Sequence, residues 1–494
     1  MKTLSKTLWS DDTPPTFPSL SENTRTDICI VGGGIVGLLC AYNLLKNGRK
    51  VLLVDSHQII SGETAKTSAH LSNALDDRYH NLISMHGLDK ATLAAQSHAA
   101  AIDLIEQIMQ EENIDCDFKR VDGYLFAPKD STTDMLDKEF AAAKSCGLAV
   151  RFENVLHLGK VLVFPNQAQF HPVKFLKALV PKIVALGGLI YEQSQVIKID
   201  KDTLKLTLKN NCEITAQKII TATDSHFFSP LSMNFKINPQ RSYVIGIEVP
   251  VGKFAHQLMW DCEDPYHYVR VQNKDAQHDI LIIGGEDHRV GVMAKGDPYA
   301  NLLKWTETQF GKIDGKVVYQ WSGQIEEPID YLGYIGCNPK NKNIFMVTGD
   351  SGNGLTHAAI ASMLITDLIL DKQNVWESLY RLNRMPFKAI GSLLLNAMAS
   401  SIGYLRYFAV NLGRKIKKGE GRLQQQGLKK IAVYVDDTGV KHECSGICSH
   451  LGAVLAWNNI EKTWDCPAHG SRFDVDGKVL NAPAMQNLSC PFKK

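Results

Sequence analysis

The stretch DICIVGGGIVGLLCAYNLLKNGRKVLLVD, residues 27–55, leaves the fold little freedom. An apolar β-rich run ends in glycines, apolar residues at helical spacing follow with Gly48 at the stop, and KVLLVD is a second buried strand. Strand, turn, helix and strand form a βαβ unit, so a parallel sheet should follow. Gly32, Gly34 and Gly37 give the spacing G-x-G-x-x-G: a tight turn, close approach of the backbone to a pyrophosphate, and close packing of helix on strand. Asp55 closes the second strand, where its carboxylate can meet a ribose hydroxyl and would repel a 2′-phosphate. The chain contains no second such loop after a strand. One dinucleotide is therefore expected, and FAD reduced by the substrate itself is the economical reading.

Further along, helical patterns cover about 83–112, 134–145 and 171–186. Between about 190 and 330 the pattern changes to short β-rich runs such as KLTLKN, SYVIGIEV, YHYVRV and ILIIGG, which predict a second, largely antiparallel sheet inserted into the nucleotide domain. IFMVTGDSGNGLTHAAIASMLITDLIL, residues 344–370, again reads strand, glycine-rich turn and long helix, an end that suits phosphate or an anionic ring. A formal net charge of +2 offers no footprint for nucleic acid. Eleven scattered cysteines without disulfide-like spacing, and an N-terminus without an apolar core, favour the cytoplasm. The uncharged stretch AIGSLLLNAMASSIGYL, residues 389–405, falls short of the ~20 apolar residues of a spanning helix. It predicts an interdomain packing helix; the alternative is a helix lying on the inner face of a membrane, in a peripheral contact through residues 387–418.

Near the C-terminus, Cys448 and His450 are followed after fifteen residues by Cys466 and His469. Zinc with two Cys and two His is one reading. Zinc spacings commonly pair Cys with Cys and His with His, whereas here each loop offers one of each. That is the pattern required when one iron of a 2Fe-2S cluster takes two thiolates and the other two imidazoles. Cys444 and Cys490 fit no ligand slot and read as small buried hydrophobes.

Two resemblances join these parts. Residues 27–55, SGETAKTSAHLSN after them, and IFMVTGDSGNGLTHAAIASMLITDLI resemble the D-amino-acid-oxidase-type (glycine/sarcosine oxidase-like) flavoproteins across about 26–385. The resemblance implies FAD and oxidation of a C–N bond by hydride transfer to the flavin. It also implies a substrate subdomain, mainly 85–185 and 225–330. By similarity Thr64, Lys66 and Thr67 lie near the flavin or its phosphates, Val196 near the adenine, and Thr223 at a strand end. Gly352, Asn353, Gly354, Leu355 and Thr356 lie against the ring. CSHLGA, WDCPAHGSRFD and DGKVLNAPA resemble a Rieske domain, 419–494, joined by a helical basic connector, 386–418. Where high-potential Rieske proteins carry a bracing disulfide this chain has Ala453 and Ala468. Ser471 is kept, but Phe473 replaces the usual Tyr, so the cluster potential should be low.

The expected architecture is an α/β Rossmann-type FAD-binding domain with an inserted antiparallel-sheet substrate domain, plus a small all-β C-terminal Rieske domain. The expected function is oxidation of an amine-type substrate, with electrons passed singly through the 2Fe-2S cluster to an acceptor protein or quinone. Two alternatives are an oxygen-using oxidase with a structural cluster and a redox module fed through the Rieske domain. Family members that oxidise amino acids often place Lys or Arg near the second glycine turn; Leu355, Thr356 and His357 stand there instead, which favours an amine without an α-carboxylate. Arg270 could supply a clamp from the sheet. Tyr243, Tyr268, Arg270 and His357 are the pocket candidates, and His70 could in principle attach flavin covalently.

Overall fold

A computed structural model describes residues 6–128, 133–156, 158–223, 231–405, 416–427 and 429–490. The connector's residues 406–415 lie outside this set.

The βαβ unit forms as its pattern requires. Thr24–Val31 pairs in parallel with Val51–Val54 on one side and Glu213–Thr221 on the other, with the Ile35–Lys46 helix between the first two strands. Asn341–Thr348 extends the sheet in parallel beside Glu213–Thr221, and Leu189–Tyr191 lies beyond Val51–Val54. The Gly354–Ile369 helix runs from the second glycine turn and packs on Ile35–Lys46, burying Leu355, Ile360, Leu364 and Ile365 in the same core as Leu38, Leu39 and Leu44.

A second sheet of nine strands is almost wholly antiparallel. Its order runs Lys316–Pro328, Ile237–Pro250, His278–Arg289, Tyr268–Asn273, Leu258–Asp261, Lys119–Phe126, Gly159–Gln169 and His70–Leu71, and the ninth strand, Arg151–Val155, also pairs with Gly159–Gln169. One expectation is corrected: KLTLKN lies in the nucleotide sheet, where Lys205–Leu208 pairs with Glu213–Thr221. A β-rich run reads the same in either sheet; its ladder partner decides, and that partner is not local in sequence.

The C-terminal part has two small antiparallel sheets, one of Gly421–Gln426, Lys429–Val435 and Lys441–Ser445, the other of four strands from Ala456–Asn458 to Val479–Asn481. Ala389–Leu405 is helical and lies between the two parts. Asn396 donates to the carbonyls of Phe235 and Ile237, and Ser400 donates to the carbonyl of Ala468. No helix among the described residues is long and apolar enough to cross a membrane.

Candidate functional site: a dinucleotide cavity beside a cysteine and histidine cluster

A cavity of about 1380 Å³ opens where the two large sheets and the C-terminal domain meet. Its lining includes Gly32, Gly34, Asp55, Thr64, Lys66, Thr67, Val196 and Thr223, with Gly352, Asn353, Gly354 and Leu355 from the second glycine turn. These residues come from six separate stretches of the chain.

The glycine loop shows why the spacing matters. Gly32 has φ +112°, and a Cβ there would sit 2.3 Å from the Ala222 carbonyl oxygen. A Cβ on Gly37 would sit 1.9 Å from the Gly32 carbonyl oxygen, so the helix meets the strand turn without room for a methyl group. Gly37 therefore shapes the cavity from behind rather than lining it. Asp55 accepts from the Gly33 and His57 backbone N–H groups, both at 2.7 Å, which fixes its carboxylate at the cavity wall. Thr64 accepts from the Ile35 N–H at the helix start, and Lys66 pairs with Glu63 at 2.8 Å. Burial pushes the Glu63 carboxyl up, but the charges of Lys66 and Arg241 hold it down at about 2.

Of the pocket candidates, Tyr268 and His357 line the cavity and Tyr243 and Arg270 do not. Tyr243 is fully buried on the opposite face of the second sheet, where its hydroxyl meets His288. Its neighbours Ser242 and Val244 face the cavity instead, as strand alternation demands. The Arg270 guanidinium is fully buried and donates to the carbonyls of Ala69 and Phe170 and to Gln272, which leaves it turned away from any substrate. Thr356 also lies behind the wall, its hydroxyl bonded to His98. His357 is pushed down to about 3 by burial, so it is neutral and cannot clamp a carboxylate. His70 lines the cavity and is likewise held neutral, by burial and by Arg270.

Sequence reading missed the cavity's acidic wall. Asp76, Glu326 and Asp350 line it, with Asp77, Asp287 and Glu327 close behind. The Tyr266 hydroxyl donates to Asp76, while Glu326 is 1% exposed and its Oε2 has no hydrogen-bond partner; Asp350 Oδ1 is also unpartnered. Burial raises all six carboxyls above their ordinary range, Asp287 to about 8. The doublets DD at 76–77 and EE at 326–327 were the available signal, but only the fold brings them together.

The cysteine and histidine loops are matched. Cys448 N–H bonds to the Ala453 carbonyl and Cys466 N–H to the Ser471 carbonyl, both at 2.8 Å, so each loop folds back on its own first ligand. The His450 and His469 rings meet edge-on with centroids 5.2 Å apart, and both Nδ1 atoms are buried without a hydrogen-bond partner. The Cys448 thiol lies within hydrogen-bond reach of Cys466 and of the Ser471 hydroxyl. One tetrahedral ion would draw all four donors tightly together. Among the described residues, the triad whose donor atoms fall within 4.8 Å of one another is Asp261, Glu263 and His267, not this set. A sulfur pair beside a nitrogen pair fits two irons instead.

Two cysteines are corrected. Cys444 and Cys490 form a disulfide across 46 residues, tying the C-terminal segment to the Lys441–Ser445 strand. The ligand loops, with Ala453 and Ala468, carry no such brace. Cys490→Ser should lower the unfolding free energy of this domain by about 2–4 kcal/mol. Denaturation followed by the visible absorbance of the cluster, with and without reductant, checks this; reductant-independent stability equal to that of the variant would show that the bond contributes nothing.

The ligand loops dock directly on the flavoprotein part. A Cβ on Gly470 would lie 2.6 Å from the Pro239 side chain and 3.0 Å from Gln324 Nε2, and Gln324 lines the cavity. Residues 478–482 and 484–487 close the far end of the cavity beside Gln195 and Val196, and the Asn481 amide donates to Glu63.

Comparison with known proteins agrees with this construction. The DAO family, FAD dependent oxidoreductase, matches residues 27–368, and the Rieske [2Fe-2S] domain matches residues 407–491. The putative Rieske 2Fe-2S iron-sulfur protein YhfW of Bacillus subtilis (strain 168) is 31% identical over 98% of this chain and 97% of its own. The gamma-glutamylputrescine oxidoreductase of Escherichia coli (strain K12) is 23% identical over 78% of this chain and 94% of its own. The crystal structure of glycine oxidase from Geobacillus kaustophilus superposes with a TM-score of 0.62 at 19% identity, covering 73% of this chain and 99% of that one. The chain belongs to the FAD-dependent oxidoreductases of the D-amino-acid-oxidase type that act on C–N bonds, and it carries a C-terminal Rieske 2Fe-2S domain.

Proposed function

We propose that the chain is a dehydrogenase for a cationic amine without an α-carboxylate, delivering electrons one at a time through its Rieske domain to an external acceptor protein or quinone. The observation that carries this reading is the cavity wall: Asp76, Glu326 and Asp350 line it and no arginine does, among the described residues. A substrate carboxylate gains no ion pair from these carboxyls, whereas an ammonium group draws one of them into ionisation and finds partners for its N–H donors.

FAD, when bound, takes a hydride from carbon, and the cluster carries single electrons onward. The chain's own groups do the rest. Gly32, Gly34 and Asp55 would hold the dinucleotide, and the Gly352–Leu355 turn would offer the start of the Gly354–Ile369 helix to its ring. The Tyr266 hydroxyl fixes the Asp76 carboxylate, and the rings of Trp260 and Tyr268 add apolar surface to the cavity lining. The imine product is hydrolysed by water. Support for transfer between the two cofactors comes from the contact of Gln324 with Gly470, beside the ligand His469.

An anaerobic screen of amines, diamine derivatives and N-methyl amino acids tests the reading, with flavin absorbance and the reduced Rieske EPR signal followed together. The expected order is flavin bleaching first and the cluster signal second, with cationic amines ahead of amino acids. If no amine bleaches the flavin before the cluster, the reading fails. The compartment we propose is the cytoplasm, where thiols are the ordinary state of the seven cysteines that neither ligate the cluster nor form the Cys444–Cys490 disulfide.

A further inference from the structure

The Ala389–Leu405 helix is amphipathic the wrong way round. Ala389, Asn396 and Ser400 are buried, at 0%, 6% and 2% exposure, and they fall on one face at about 100° per residue. Two of these three are polar. The opposite face carries Ile390, Leu394, Leu395 and Met398, at 42%, 60%, 69% and 67% exposure, with Phe387 just before the helix at 87%. A helix of a water-facing surface turns its apolar stripe inward. Here polar hydrogen bonds anchor the inner face: Arg289 donates to both Asn396 and Ser400, and these bond on to Phe235, Ile237 and Ala468. The apolar stripe is left outside.

We infer that this face docks on a membrane surface carrying anionic lipids, with the helix lying in the interface rather than crossing it. Charge singles out that occupant. From Ser378 to Gly419 the sequence has eight Lys or Arg and no Asp or Glu; Arg384 is buried on Asp330, and the other seven flank the apolar stripe in sequence. An apolar face flanked by positive charge is what an interfacial helix needs to bind anionic lipid. Seventeen residues containing Gly, Ser and Asn are too few and too polar to span.

The placement has a consequence for the cluster. Ser400 bonds to Ala468 inside the second ligand loop, and Gly291 packs on Pro467 of the same loop, followed by Val292 and Met293 at 48% and 83% exposure. Leu451, beside the ligand His450, is 42% exposed. Docking through the helix brings the ligand loops to the lipid surface, where an acceptor held in or at that surface can reach them. This inference does not depend on which amine is oxidised.

Flotation of the holoenzyme with vesicles tests it. The protein should float with vesicles of mixed phosphatidylglycerol and phosphatidylcholine, more weakly with phosphatidylcholine alone, and less as salt is raised. The combined change Leu394→Gln, Leu395→Gln and Met398→Gln should lower the bound fraction at least about tenfold. Flavin absorbance and the Rieske EPR signal should be unchanged, which shows that the fold is intact. A second variant, with Arg414, Lys415, Lys417 and Lys418 changed to Gln, should lose the preference for anionic vesicles while leaving the helix untouched. Wild-type protein that stays unbound, or variants that float as well as wild type, would overturn the inference. So would a lipid-free dimer that the Gln substitutions convert to monomer, since the face would then cover a second copy.

Discussion

Replacing Glu461 with alanine should loosen the Rieske domain from the flavoprotein part at a cost of about 3–5 kcal/mol, because two buried arginines lose their shared partner. Glu461 sits in a turn of the Rieske domain and reaches across the interface. Its carboxylate accepts from Arg241 Nε at 2.9 Å and Nη2 at 2.7 Å, and it pairs with Arg472 at 2.9 Å. The Ser322 hydroxyl, on the strand beside Arg241, bonds to the same carboxylate. Arg241 and Arg472 are 2% and 3% exposed, so neither can recover hydration when the acid goes. Burial alone would raise the Glu461 carboxyl, yet the two guanidinium groups hold it well below the usual carboxylate range. The sign follows: a depressed carboxyl contributes stability above its unfolded value and loses it as pH falls toward the folded one. Docking should therefore weaken in acid and be insensitive to pH near neutrality. In the alanine variant the cluster EPR signal should rise slowly after amine addition while flavin bleaching keeps its rate. Both rates unchanged, with unfolding free energy also unchanged, would rule out a coupling role for this triad.

What could be read in advance follows from how local each signal is. The glycine loop and the two ligand loops are legible because their chemistry is fixed by short spacings: Gly37 must meet Gly32, and Cys448 must stand two residues from His450. The Ala389–Leu405 helix was legible as a helix, but its reversed faces needed the positions of Phe235, Ile237 and Ala468. Tyr243 and Arg270 failed for a reason of parity and depth. A strand residue faces one side or the other, and nothing local says which side holds the cavity; Tyr243 turned to the far side, and Arg270 was used up on the Ala69 and Phe170 carbonyls. The pairing of Cys444 with Cys490 depends on the C-terminal segment returning to a strand edge. The acidic wall is the plainest case, since its members come from residues 76–77, 287, 326–327 and 350, and no one of them stands out alone.

That wall predicts the second large effect. Between roughly pH 6 and 8, binding of a cationic ligand to the holoenzyme should strengthen about tenfold per unit of pH. Glu326 and Asp350 lie in the same buried wall; burial raises both carboxyls first, and then the charges of Asp350 and Glu63 raise Glu326 further, while that of Glu63 raises Asp350. An empty cavity therefore keeps protons on groups that would be ionised in water. A cation is held only when one of those protons leaves, so binding releases a proton and the affinity follows pH with unit slope until the carboxyl ionises by itself. A quaternary ammonium analogue is the right probe, because it has no proton of its own to lose and its slope belongs to the protein. The Glu326→Gln variant should bind it more weakly by about 2 kcal/mol or more near pH 8 and show a shallower slope. The same groups give the opposite trend in folding. The unfolded chain releases these protons at ordinary carboxylate values, so a raised carboxyl contributes stability at low pH and loses it as pH rises through the folded value. Ligand-free protein should thus lose stability toward alkaline pH while ligand affinity grows, two opposed slopes from one set of carboxyls. Titration of flavin absorbance and denaturation across the same pH series measure both. A flat affinity profile, or one that Glu326→Gln leaves unchanged, would remove the electrostatic basis for an amine substrate.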